Sequence, residues 1–170
     1  MEFRSLLEEA VESWDGVREG LIAELEVIPE EKFDFRPTPE VMSVGGLAVH
    51  LLESGAMMVG ELTRADTHFK RLPFPELVAE HAGDLSTLTG KTELLEALKR
   101  QVDEGVQAFA AVGELHMLQL IERFDGKMGT RLAWMQHGID HEMYHRGQVT
   151  VYARLLGLEP ALTRMIRQSS

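Results

Sequence analysis

The sequence predicts an all-α protein, a four-helix bundle with a crossover connection, on two observations. Four long segments carry apolar residues at helical spacing, whereas the alternation that marks strands is scarce. The connections between these segments differ in length, which is typical of a bundle in which one connection crosses over. At 170 residues the chain is long enough to bury a substantial core, and we interpret residues 1–170 as a single domain.

The first predicted helix runs from about Ser5 to Val27 and ends before Pro29, as expected of a helix stop. Its apolar stripe consists of Leu6, Leu7, Ala10, Val11, Trp14, Val17, Leu21 and Leu25. A connector that contains Pro37 and Pro39 then leads to the second helix.

The second predicted helix runs from about Val44 to Arg64 and is apolar on most sides, which predicts a central position. Ser43 is a suitable N-cap, because its hydroxyl can accept a hydrogen bond from an unpaired backbone N–H. We interpret the stretch from Thr67 to Gly90 as a loop, since it contains Pro73, Pro75 and Gly83. Loops of this length often carry function or cover a site.

The third predicted helix runs from about Lys91 to Val112. The segment from Leu115 to Phe124 is ambiguous between a strand and a short helix, and Gly126 and Gly129 after it indicate a turn. The fourth predicted helix runs from Thr130 to about Leu156, with Gly157 suitably placed at its C-terminus.

Composition limits the classes of partner. Acidic residues outnumber basic ones 28 to 17, for a net charge of −11, which argues against binding nucleic acid or an anionic membrane surface. The chain has no cysteine, so it forms no disulfide and offers no thiol of its own. Residues 1–5 lead into a charged amphipathic segment rather than a signal-peptide core, and no apolar run reaches the length of a membrane span. We therefore expect a cytoplasmic protein.

A pair of histidines near the C-terminal end carries the strongest chemical signal. His141 and His145 lie four residues apart in the fourth predicted helix, which places both rings on one face, about 6 Å apart along the axis. Two ring nitrogens at this spacing can share one divalent metal ion. The alternative is that both are exposed or hydrogen-bonded core residues, and the spacing alone does not decide between the two.

His50 is the candidate for a third ligand. It interrupts the apolar run Leu47–Leu52 of the second helix, where a polar residue needs a partner. A lone histidine in such a run is often a satisfied core residue instead. Three histidines from two facing helices would form a three-nitrogen site with an open position, as catalytic zinc sites often have.

Two further residues are candidates for a supporting role. Glu53, one turn after His50, is a candidate fourth ligand or base, with an exposed helix carboxylate as the alternative. His137 lies one turn before His141 and about two turns from His145, so we interpret it as a residue at the rim of the site and a second candidate base. We expect the remaining histidines to face solvent: His68, His81 and His116.

The sequence resembles the DinB-like superfamily of metal-binding four-helix bundles. The resemblance is carried by the segment from Ser43 to Leu51, by the segment from His141 to Gln148 with its His-Arg-Gly-Gln ending, by Arg36-Pro37 and by the segment from Arg154 to Gly157. It implies metal ligation by His50, His141 and His145, a nickel or zinc ion with water completing the sphere, and a homodimer. The motif leaves open whether Arg146 and Gln148 fix helix packing or touch a ligand.

Two functions remain open at this level. The resemblance implies a metal-dependent transferase or hydrolase that activates a low-molecular-weight thiol or a water for attack on a small electrophile. With no cysteine in the chain, any thiol must be exogenous. The alternative is a non-catalytic bundle, stabilised by its metal, that binds a small molecule or a partner subunit. Trp14, Met57 and Met58 leave room for a homodimer interface, and Gly147 is expected to allow close approach of another helix or loop.

Overall fold

The computed structural model describes residues 4–169, so the start of the N-terminal segment, residues 1–3, lies outside the described residues. The helices, in chain order, are α1 (Leu6–Val27), α2 (Val44–Thr63), α3 (Phe74–Ala82), α4 (Lys91–Met117), α5 (Arg131–Leu155) and α6 (Ala161–Gln168). Two short strands, β1 (Leu120–Glu122) and β2 (Met128–Thr130), pair antiparallel with Ile121 opposite Gly129. The four predicted helices correspond to α1, α2, α4 and α5.

The four long helices form a bundle. Helices that follow one another in the chain, α1 with α2 and α4 with α5, lie diagonally across the bundle from each other and not side by side. Both α1 and α2 pack between α4 and α5. The helix α1 runs antiparallel to α4, because Lys91 at the start of α4 bonds the carbonyl oxygen of Ile28 at 2.7 Å. The helix α2 runs parallel to α4, since Gln101 bonds the carbonyl of Leu52 and His116, further along α4, contacts the carbonyl of Leu62. Residues 64–90 join the two helices and cross over along the bundle. The predicted all-α four-helix bundle with a crossover connection is confirmed.

Side-chain caps fix where three of these helices begin. Ser5 forms a capping box with Glu8, and Ser43 accepts from the backbone N–H of Gly46 at 3.1 Å, as predicted. Thr130 accepts from Ala133 N–H at 3.0 Å at the start of α5. Each hydroxyl satisfies a helix N–H that has no partner within its own helix, so the sequence sets these starts locally.

The interpretation of Thr67–Gly90 as a loop is wrong over half its length. The segment contains α3 and a 3-10 helix, Gly83–Thr87. Pro73 is the N-cap of α3 and Pro75 lies in its first turn, where a missing backbone N–H costs nothing. Leu77, which is fully buried, fixes α3 against the bundle.

The ambiguous segment from Leu115 to Phe124 is helix first, up to Met117, and then strand, over Leu120–Glu122. Gly113 takes a positive φ of 76° and kinks α4, which then continues to Met117. The chain turns through Gly126, whose φ is 80°, between β1 and β2. Gly129 lies in β2 itself and not in the turn.

An unpredicted helix, α6, closes the described chain. It begins after Pro160, which offers no side-chain cap. The carboxylate of Glu24 on α1 accepts from the backbone N–H groups of Ala161 at 2.8 Å and Leu162 at 3.1 Å instead. This contact explains why Glu24 is buried.

The core consists of two apolar clusters with a polar layer between them. One cluster contains Leu21, Leu51 and Val149, and the other contains Trp14, Phe109 and Met135. Between them Arg18, which is 0% exposed, pairs with Glu142, which is 3% exposed. Within residues 4–169, no helix is both long enough and apolar enough to span a membrane.

Candidate metal centre

The structure brings the three predicted ligands together at the α2–α5 contact. His141 Nε2 lies 3.2 Å from His50 Nε2 and 3.0 Å from His145 Nε2. All three donor nitrogens lie within 4.8 Å of one another. The antiparallel packing of α2 on α5 produces this convergence, since His50 alone comes from the other helix.

The environment of the cluster favours the neutral form of His50 and His141. Burial, and then the neighbouring His145, lower the pKa of His50. Burial, and after it the neighbouring His145, His50 and His137, lower the pKa of His141 to about 4. A neutral imidazole has a nitrogen lone pair to donate, so near pH 7 these rings are in the protonation state that metal binding requires.

Gln148 fixes the orientation of His145. Its amide Oε1 lies 2.5 Å from His145 Nδ1, and because an amide oxygen only accepts, Nδ1 carries the proton. The lone pair of His145 is therefore on Nε2, the atom that faces His141. This is the arrangement in which an outer hydrogen bond holds a ligand ring in its binding tautomer.

Arg146, by contrast, packs between helices. A Cβ built on Gly20 of α1 would lie 2.3 Å from Arg146 Cζ, so the guanidinium occupies the space that Gly20 leaves open. The expectation for Gly147 is wrong within this chain. Gly147 is exposed. A Cβ added to Gly147 would have no described atom within 4 Å, apart from those of the adjacent turns of its own helix.

A buried ion pair lies immediately beside the histidines in the sequence. Glu142 accepts from Arg18 Nε at 2.5 Å and Arg18 Nη2 at 3.0 Å, and from Trp14 Nε1 at 3.0 Å. Arg18 Nη1 also donates to Gln101 Oε1 at 3.1 Å, and Gln101 donates to the carbonyl of Leu52 at 2.7 Å. Because each of the four long helices contributes at least one residue to this network, it fixes the helices around the histidine cluster.

An apolar pocket of about 220 Å³ opens onto the cluster. His50, His141 and Glu142 lie on its lining, together with His137. The remaining lining residues are mostly apolar or aromatic: Ser54, Gly55, Met57, Met58, Phe74, Phe124, Trp134 and Gly138.

A second pocket, of about 390 Å³, also borders His50 and is more polar. Glu53 lines it together with Asp34, Ser86 and Thr89. Among the described residues, no carboxylate joins the three histidine nitrogens in a single cluster within 4.8 Å, so Glu53 is not placed as a fourth ligand. Its position in a pocket that reaches His50 leaves its predicted role as a base open.

The remaining histidines lie outside the cluster. His137 is exposed and stacks on Trp134, with 4.6 Å between ring centroids, at the edge of the apolar pocket. His68 is exposed as expected. The expectation is wrong for His81, which contacts Glu61 at 2.6 Å, and for His116, which contacts the Leu62 carbonyl at 3.0 Å. Both are half-buried because each packs against α2.

A second cluster, Glu61 with Glu80 and His81, also has metal-ligating groups close together. However, the guanidinium of Arg71 binds both carboxylates, and Thr67 donates to Glu61 as well. Burial alone would raise the pKa of Glu61, but the hydrogen bonds from Arg71, Thr67 and His81 outweigh it and lower the pKa to about 2. A cation already satisfies this site, so we interpret it as a clamp that holds the crossover on α2.

Sequence reasoning placed His137 at the rim of the site but did not predict the aromatic wall of the apolar pocket. Phe74, Phe124 and Trp134 come from three separate segments, and only the fold brings them together. The role of Gln148, which the motif left open, could have been inferred from its spacing, since it lies three residues after His145 on the same helix face.

Comparison with known proteins places this arrangement among related folds. The sequence model of the DinB family matches residues 3–169. No curated protein matches the chain. A DinB-like protein from Bacillus subtilis has a similar structure, with a TM-score of 0.66 at 20% identity, over 88% of this chain and 92% of that one.

Two further solved structures are similar and have described activities. YfiT from Bacillus subtilis, described as a probable metal-dependent hydrolase with an unusual four-helix bundle topology, matches with a TM-score of 0.65 at 16% identity, over 92% of each chain. The mycothiol-dependent maleylpyruvate isomerase matches with a TM-score of 0.66 at 14% identity, over 86% of this chain and 63% of that one. At these identities the similarity establishes the fold.

Proposed function

The chain belongs to the DinB family, and from this premise we propose that it binds one divalent metal ion through His50, His141 and His145. The observation that carries the proposal is the convergence of three Nε2 atoms, with 3.0 and 3.2 Å between neighbours. Two nitrogens bound to one tetrahedral zinc ion at the usual bond length lie about 3.4 Å apart. The cluster therefore fits an ion with only small side-chain shifts.

We propose zinc or nickel as the ion. The donors are three imidazoles without a thiolate or a carboxylate, and imidazole suits both metals. Three protein ligands also leave a coordination position open, as in catalytic rather than structural zinc sites.

We further propose that the protein is a metal-dependent transferase that acts on a small electrophile. A divalent ion in this site would lower the pKa of a low-molecular-weight thiol or a water, and so supply a nucleophile near neutral pH. Two structural neighbours support the use of a thiol or a metal ion in the reaction, since one is described as a mycothiol-dependent isomerase and the other as a probable metal-dependent hydrolase. The chain has no cysteine, so the thiol would be an exogenous cosubstrate.

The chain's own residues would divide the remaining work. Gln148 holds His145 in its ligating tautomer, and the apolar pocket positions the electrophile and excludes water. His137 and Glu53 are the candidate bases, because each lines a pocket that reaches His50. A proton from the incoming thiol or water would pass to a ring nitrogen of His137 or to the carboxylate of Glu53.

An activity screen tests the reaction. Protein loaded with zinc or nickel is incubated with a panel of small electrophiles, with and without a low-molecular-weight thiol, and product is followed by mass spectrometry. We expect turnover that requires metal and is lost in His141→Ala. Equal product from metal-loaded protein and from His141→Ala would contradict the proposal.

We also propose a cytoplasmic homodimer. The residues named from sequence cannot form its interface: Trp14 is 0%, Met57 8% and Met58 4% exposed, because all three pack in the core. The outer face of α5 is the better candidate. It exposes the apolar residues Met143, Tyr144, Val151 and Leu155, with Gly147 among them to allow a second helix to approach.

Sedimentation tests the dimer. The wild-type chain should sediment as a dimer at micromolar concentration, and Val151→Glu should shift it toward monomer, because a carboxylate would be buried unpaired in the interface. Glu53→Gln, away from this face, is the control. A wild-type protein that sediments only as a monomer would contradict the proposal.

A further inference from the structure

We propose that the apolar pocket beside the three histidines takes an uncharged electrophile built on a single aromatic ring, with its polar reactive group facing the histidines. The inference rests on the proposed function, because it names the substrate class of the same site. It is carried by the size of the pocket, the nature of its walls and the charges around it.

The size of the pocket limits the ligand. A volume of about 220 Å³ is smaller than the pockets that hold drug-sized molecules, which start near 300 Å³. An engineered apolar cavity of about 150 Å³ is known to bind benzene. The pocket therefore has room for one ring and a short functional group.

The walls of the pocket favour a flat apolar ring. Trp134 and Phe124 face it with 5.7 Å between their centroids, and both pack on buried Phe69, at 5.0 and 4.7 Å. Because these rings brace one another, they form a stiff wall. Opposite this wall, Gly138 on α5 has no side chain, and the side chain of Met58 occupies the space. The Sδ of Met58 would lie 2.3 Å from a Cβ added to Gly138.

The charges that line the pocket disfavour an anionic ligand. No lysine or arginine is among the lining residues that the structure describes. Glu142 is the only lining carboxylate among them, and its oxygens accept hydrogen bonds from Arg18 and Trp14. An anionic substituent on the ring would lose its hydration without gaining a partner, which is strongly unfavourable. The ligand that fits is uncharged away from its reactive group.

Three hydroxamic acids test this in the zinc-loaded protein, because the hydroxamate binds the metal while its substituent probes the pocket. Isothermal titration calorimetry compares acetohydroxamic acid, benzohydroxamic acid and 4-carboxybenzohydroxamic acid. We expect the phenyl compound to bind about tenfold or more tightly than the methyl compound, from the added apolar area that it buries. We expect the added carboxylate to abolish that gain.

Variants locate the effect. Trp134→Ala should erase the preference for phenyl over methyl while acetohydroxamate affinity and metal content stay unchanged. Phe74 is 51% exposed, so substitution there does not disturb the core. Phe74→Arg should restore tight binding of the carboxylated compound by supplying a cation, whereas Phe74→Ala should not. Ser86→Ala, in the polar pocket, should leave all three affinities unchanged.

The outcomes separate this inference from the proposed function. If one metal ion binds per chain but phenyl and methyl compounds bind equally, or the carboxylated compound binds as tightly as its parent, the substrate class is wrong and the metal site stands. If the protein takes up no metal, the proposed function fails and the inference fails with it.

Discussion

At the scale of single residues, Gln148 has the most specific role beside the histidines. Its amide oxygen lies 2.5 Å from His145 Nδ1, which leaves Nε2 to face His141. Without this contact the ring could rotate or take the other tautomer. The affinity of the site should therefore depend on a residue that does not touch the metal.

We predict that Gln148→Ala weakens metal affinity by about 10- to 100-fold, the usual cost of losing such an outer hydrogen bond. Competition with a chromogenic chelator measures the affinity. Gln136→Ala is the matched control, since Gln136 is on the same helix and its amide bonds exposed Asp140 at 3.0 Å. Equal affinities for the two variants would show that Gln148 has no part in the site.

The sequence identified the three histidines as candidate ligands and His137 as a rim residue, but it could not predict the aromatic wall beside them. His141 and His145 share a face by local helix geometry, which spacing alone reveals. The distance from His50 to His141 depends on the packing of α2 on α5, and the resemblance to a known family supplied what spacing could not. Phe74 and Phe124 join the pocket through the crossover and the hairpin, so no local pattern marks them.

At the scale of elements, the helices of the bundle meet closely where glycine removes a side chain. Gly105 on α4 faces the indole of Trp14 on α1, and an added Cβ would lie 2.5 Å from Trp14 Cη2 and 3.0 Å from Val59 Cγ2. Trp14 is fully buried and its Nε1 bonds Glu142, so the ring cannot move aside easily.

We predict that Gly105→Ala lowers the free energy of unfolding by about 1–3 kcal/mol through overpacking. Gly16→Ala on α1 is the matched control, because no atom lies within 4 Å of its added Cβ. It should raise the free energy of unfolding by about 0.5–1 kcal/mol through helix propensity. Urea denaturation of both variants measures the difference, and stabilisation by both would rule out the close α1–α4 contact.

The attachment of the crossover to α2 depends on charged side chains more than any other contact between elements does. Glu61, 0% exposed on α2, binds Arg71, Thr67 and His81 of the crossover. Breaking the clamp leaves the guanidinium of Arg71 with Glu80 as its one acidic partner among residues 4–169.

We predict that Glu61→Gln lowers the free energy of unfolding by about 1–3 kcal/mol near pH 7. Because the pKa of Glu61 falls from 4.5 to about 2 on folding, the unfolded chain takes up this proton first as the solution is acidified. The clamp is therefore fully effective above pH 4.5 and is lost as the pH falls toward about 2.

Denaturation of wild type and Glu61→Gln across that range should show the stability gap closing with acid. Glu80→Gln, whose side chain is 36% exposed, is the control and should cost much less. A gap that is independent of pH would mean that the Glu61 carboxylate is not the source of the stability.

The long helices were predicted because their apolar periodicity persists over 20 or more residues, while the short ones were not. The prolines before and inside α3 suggested a loop, although they occupy first-turn positions where proline is tolerated. The N-terminus of α6 is capped by Glu24 of α1, a tertiary contact that its own sequence does not contain.

At the scale of the whole molecule, the order of the helices determines the site. The crossover from α2 to α4 and the hairpin before α5 place α2 and α5 side by side and antiparallel, which brings His50 onto the histidines of α5. The bundle class could be predicted from four periodic segments. Their diagonal order could not, because helices with apolar stripes pack equally well in several orders.

Metal binding by the purified chain and its histidine variants tests the central claim most directly. We predict one zinc or nickel ion per wild-type chain and severe loss of affinity in His50→Ala, His141→Ala and His145→Ala alike, since each removes one of three ligands. His68→Ala and His137→Ala should retain the ion. One ion per chain with unchanged affinity in His50→Ala, or retention in His141→Ala or His145→Ala, would contradict the account.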